Sequence, residues 1–95
     1  MLLWYIGNMK REEHNIEVER VQTGVRMEKR LLKVLKGLAE LKDLSLGDLL
    51  EGIVLHAFEG KAPFSAQTRK QIEKLKSLYG LTLRSSDSHR LKERK

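Results

Sequence analysis

The sequence predicts a mainly α-helical chain, in which one short N-terminal strand leads into three helices. Three observations carry that expectation. Side chains alternate between apolar and polar over residues 21–27, the period of a half-buried strand. Beyond residue 28 the apolar positions recur every three or four residues in three separate stretches, the period of an amphipathic helix. The 95 residues contain no cysteine, so one small core must hold without disulfides, and a chain this short is then best stabilised by a partner.

Residues 1–19 read as an N-terminal arm. It opens on six apolar residues, Met1 to Ile6, far short of the roughly 20 that a membrane span needs. With no basic residue before them and no small-residue cleavage pattern, they do not make a signal peptide. Met9, followed by Lys10 and Arg11, is a second candidate for the translation start. Ile16 and Val18 suggest extended structure before the strand proper.

In the strand, Val21, Thr23, Val25 and Met27 share one face, and Gln22, Gly24 and Arg26 the other. The helix over 28–41 places Leu31, Val34, Leu35, Leu38 and Leu41 on one stripe, opposite Lys29, Lys33, Lys36 and Glu40. Ser45 has the chemistry of an N-cap for the helix over 45–59, with Asp48 three residues on. That helix carries Leu46, Leu49, Leu50, Ile53, Val54, Ala57 and Phe58 on a wide arc, extended by Leu55, and is expected to be buried on two sides. Gly60 ends it. After Pro63, Ser65 caps a helix over 65–79 with a narrower stripe of Ile72, Leu75, Leu78 and Tyr79, stopped at Gly80. Residues 84–95 are polar, basic and aperiodic, and are expected to be disordered.

A lone strand leaves its backbone N–H and C=O groups without partners. No second convincing strand is present, since Leu81, Thr82 and Leu83 make too short a run. The economical solution is the same strand from a second copy, which predicts an antiparallel two-stranded ribbon in a homodimer. Its core would comprise Val21, Val25, Met27, Leu31, Leu35, Leu38, Leu46, Leu49, Leu50, Ile53, Val54 and Phe58.

The net charge is +6, and its distribution is lopsided. Residues 61–95 hold ten Lys and Arg against three Asp and Glu, whereas residues 31–60 hold three against five. Such segregation favours a polyanionic partner. Catalytic chemistry has no support: there are no paired carboxylates, no nucleophile beside a base and no phosphate loop. His14, His56 and His89 are too scattered for a metal site, and no cofactor is expected. Trp4 and Tyr5 could stack on a base or pack on a partner.

Strand, helix, short turn and helix within some 40 residues resemble the ribbon-helix-helix family of repressors. The resemblance runs from Gln22-Thr23-Gly24-Val25-Arg26-Met27 through Leu31-Leu32 and Leu38-Ala39 to Ser45-Leu46-Gly47-Asp48-Leu49-Leu50. It implies a prokaryotic, cytoplasmic, nucleoid-associated homodimer that reads double-stranded DNA with its ribbon and represses transcription. Gln22, Gly24 and Arg26 would then face the bases, Gly24 standing where the family usually has a polar side chain. An arginine can fork onto guanine O6 and N7, and a glutamine can bridge adenine N6 and N7. Ser45, Leu46 and Gly47 would offer a helix N-terminus to a phosphate, with Lys29 and Arg30 reaching the backbone nearby.

Two other functions compete. In one, an antitoxin-like or adaptor protein, residues 61–83 fold against a protein partner. In the other, residues 61–95 bind a membrane surface, but they lack a distinct apolar face. The basic residues of the third helix, Arg69, Lys70, Lys74 and Lys76, favour DNA.

Overall fold

A computed structural model describes residues 15–94 of the chain. It contains helices α1 (Lys29–Leu41), α2 (Leu46–Phe58) and α3 (Ala66–Tyr79), then a short 3-10 turn at Ser85–Asp87. The described residues form no strand. The ribbon-helix-helix architecture expected from the sequence is therefore corrected to an all-helical one. Residues 15–28 run without helix or strand, and residues 15–26 are exposed throughout. The alternation over 21–27 sorts side chains onto two faces, but a strand also needs a neighbour for its backbone groups. No described segment lies alongside to supply one.

Each helix starts on a side-chain cap. Glu28 accepts from the Leu31 N–H at 2.8 Å, Ser45 from the Asp48 N–H at 3.0 Å, and Ser65 from the Thr68 N–H at 3.1 Å. Each also ends the same way, on a left-handed residue: Asp43 (φ 56°), Gly60 (φ 69°) and Gly80 (φ 70°). The following N–H then closes back onto the last turn, from Leu44 to Ala39 O, Lys61 to His56 O, and Leu81 to Lys76 O, at 2.8–2.9 Å. This Schellman closure satisfies carbonyls that the helix itself cannot. After α3 it also swings Leu81 into the core, where the residue is buried.

Helix α1 is the central element, and both α2 and α3 pack on it. Val34, Leu38, Ala39 and Leu49 are buried, with Leu35, Ile53, Phe64, Ile72 and Leu75 around them. Gly37 sits where α3 approaches closest: a Cβ there would stand 3.0 Å from Leu75 Cδ2. Lys33 lies over the Tyr79 ring, 5.8 Å from its centre, a cation–π contact between the same two helices.

The core is small. On α2 only Leu49 is buried, while Val54, Leu55 and Phe58 are exposed, Phe58 by 81%. Within one chain α2 is thus covered on one side, where the sequence predicted two. Leu78, assigned to the stripe of the third helix, points outward, and Thr68, not assigned to it, is buried. Within the C-terminal segment Ser85–Asp87 form the 3-10 turn, with the Arg84 N–H bonded to the Asp87 carboxylate at 2.8 Å. No described helix is long and apolar enough to cross a membrane.

Candidate nucleic-acid interface

Residues 15–28, the arm of the described structure, join the helical body through one well-formed ion pair. Arg20 donates from Nε and Nη2 to the two carboxylate oxygens of Glu51 on α2, both at 2.9 Å. This two-point geometry suits a guanidinium and a carboxylate. The hydrogen bond from Arg20 holds the Glu51 carboxyl below the usual glutamate range, outweighing the opposing effect of desolvation, with the arginine's charge adding to it. In return Glu51 pushes the Arg20 pKa further up. Neither residue stands out in the sequence, because the partners are 31 positions apart and no local pattern links them.

Gln22 and Gly24 are exposed on the arm, and a Cβ at Gly24 would meet nothing within 4 Å. Arg26 is exposed as well but engaged: it forks through Nε and Nη2 onto the carboxylate of Glu93 in the C-terminal segment. Val21 and Val25, assigned to a dimer core, are 78% and 74% exposed, whereas Met27 is half-buried where the arm meets α1. Trp4, Tyr5 and His14 lie outside the described residues.

The residues expected to meet phosphate behave unequally. Lys29 is exposed and takes part in no ion pair among the described residues. Arg30 instead donates from Nη1 to Gly80 O at 3.0 Å and lies 3.9 Å from the Glu28 carboxylate, so it ties α1 to the end of α3. Ser45 takes up the Asp48 N–H, while Leu46 and Gly47 sit in the first turn of α2, half-buried and exposed. Of the other dimer-core positions, Leu38 and Leu49 are buried within the single chain. Leu35, Leu46, Leu50 and Ile53 are half-buried, and Leu31, Val54 and Phe58 are exposed.

An apolar hollow of about 360 Å³ opens between α1 and the C-terminal segment, lined by Leu31, Leu35, Ile72, Leu83 and Leu91 among others. His56 sets Nδ1 2.7 Å from Gly52 O, one turn back on its own helix. No group of His, Asp or Glu among the described residues is arranged to hold a metal ion.

Compared with protein-family models, curated proteins and solved structures, the chain matches none.

Proposed function

We propose that the protein is a homodimeric, sequence-specific DNA-binding regulator, cytoplasmic and associated with the nucleoid, acting as a transcriptional repressor. The observation that carries this reading is the arm. Residues 15–26 are exposed without exception, and they display Gln22 and Arg26, side chains suited to base edges, beside apolar Val21 and Val25. The segment is exposed and held by two solvent-exposed ion pairs, Arg20 to Glu51 and Arg26 to Glu93, which the phosphates of a groove can displace. Lys29 at the start of α1 and the basic residues beyond position 60 supply charge for the phosphates.

Dimerisation is supported by apolar surface that one chain leaves in water. Val54, Leu55 and Phe58 on α2 and Val21 and Val25 on the arm all need cover, and a second copy covers the same patch reciprocally. The adaptor alternative, with residues 61–83 docked on another protein, draws less support, because Ile72 and Leu75 of α3 already pack against the core.

Sedimentation velocity with and without a mixed-sequence duplex, across a salt series, tests both halves of the reading. A dimer that binds the duplex with log affinity falling steeply against log salt is expected. Removal of residues 84–95, which deletes five Lys and Arg and two acidic groups, should flatten that slope by roughly one to three units. A monomer at micromolar concentration overturns the dimer, and an unchanged slope moves the basic segment to a protein partner.

A further inference from the structure

We propose that Glu93 is a built-in competitor of DNA for Arg26, so that the C-terminal segment masks the arm until a duplex displaces it. The inference rests on the DNA-binding reading above. The Glu93 carboxylate takes Nε and Nη2 of Arg26 together. This is the same two-donor edge that a guanidinium offers to guanine O6 and N7, or to two oxygens of a phosphate. While the fork holds the carboxylate, neither can bind there. The partners are 67 positions apart in sequence, so the contact joins the arm to the C-terminal segment.

The neighbours of Glu93 provide the means of release. Arg90, Lys92 and Arg94 flank it in a segment whose only other acid is Asp87. A duplex brought to the arm repels the Glu93 carboxylate from Arg26, while its phosphates take up the neighbouring cations. The same side chains thus mask the site when DNA is absent and hold the backbone when it is present. The mask is weak enough to yield. Its two side chains are 83% and 63% exposed, and exposed ion pairs are screened by water and salt. Glu93 also raises the Arg26 pKa through its hydrogen bond.

The test is a double-mutant cycle in the full chain, read by fluorescence anisotropy with a mixed-sequence duplex of about 20 base pairs. Glu93→Gln should tighten binding about two- to five-fold at low salt, the range an exposed pair can supply, and the gain should shrink as salt rises. In an Arg26→Ala background the gain should fall to the small increment expected from removing one negative charge. In the free protein, Glu93→Gln should shift the Arg26 Nε–Hε resonance. Equal gains in both backgrounds, or an unmoved resonance, overturn the mask while leaving DNA binding in place. A parent protein that ignores the duplex overturns the DNA reading itself, and the resonance then reports only on the ion pair.

Discussion

The arm of residues 15–28 and the helical body of residues 29–83 handle their backbone polar groups in opposite ways. In the body, each helix bonds its own N–H and C=O groups, and the caps at Glu28, Ser45 and Ser65 and the closures at Asp43, Gly60 and Gly80 serve the ends. Residues 15–26 form no ladder and no turn, and apart from the Arg20 and Arg26 ion pairs they make no hydrogen bond among the described residues. Their apolar side chains differ in the same sense. Leu38 is 2% exposed, whereas Val21 is 78% exposed. A helical stripe can find its cover within a short chain because it brings its hydrogen bonds with it. An extended segment must obtain hydrogen bonds and cover from outside itself.

Substitutions in the two regions should therefore diverge. In the body, Leu38→Ala is expected to lower stability by about 2–5 kcal/mol, the usual result of emptying a filled leucine site, and urea denaturation measures it. If the loss stays below about 1 kcal/mol, α1 is not the centre of the core. At the edge of the body, Phe58→Asp should leave the helical circular dichroism of dilute protein almost unchanged, because one chain already exposes that ring. It should nevertheless dissociate the proposed dimer in sedimentation, since an unpaired carboxylate would be buried at the contact. A variant that remains dimeric moves the interface away from α2.

A backbone substitution gives a smaller effect. Gly80 holds φ at 70° with open space around its Cα, so Gly80→Ala meets conformational strain without a clash and should cost about 1 kcal/mol. Thermal melting checks this, and an unaffected midpoint would show that the end of α3 can close without a left-handed residue.

The smallest effect belongs to the arm and depends on pH. Glu51 has its carboxyl lowered by Arg20, so the attachment is intact above the ordinary glutamate range. It is lost as the pH falls through the lowered value. The carboxyl carbon of Glu51, followed by NMR, should titrate at lower pH in the parent than in Arg20→Ala. Global stability should hardly change, since both side chains are largely exposed. Identical titrations would mean that the arm is not held there in solution.

Much of the body was legible in the sequence because its signals are local. The stripe from Leu31 to Leu41, the cap at Ser45 and the stop at Gly80 each depend on residues within a few positions of one another, and helix formation is decided over that distance. The alternation over 21–27 was equally local and legible, yet it led to a strand that the described residues do not form, because pairing depends on a neighbour rather than on the segment. The candidate site divided similarly. Gln22 and Arg26 are exposed, but so are Val21 and Val25 on the opposite face of the alternation, and the engagement of Arg26 by Glu93 and of Arg30 by Gly80 O could not be anticipated from spacings of 67 and 50 residues.

The sequence by itself determined where the three helices lie, most of the side chains on their apolar stripes, and where positive charge accumulates, because periodicity, capping and charge are properties of neighbouring residues. Tertiary structure alone decided that α1 is the shared partner of α2 and α3, that Leu81 completes the core, that α2 keeps an apolar face in water, and that Glu51 and Glu93 hold the two arginines of the arm. Those outcomes depend on which surfaces meet after the chain turns at Asp43, Gly60 and Gly80. A contact between residues far apart in sequence is specified by the packing of the whole chain and leaves no mark in any short stretch of it.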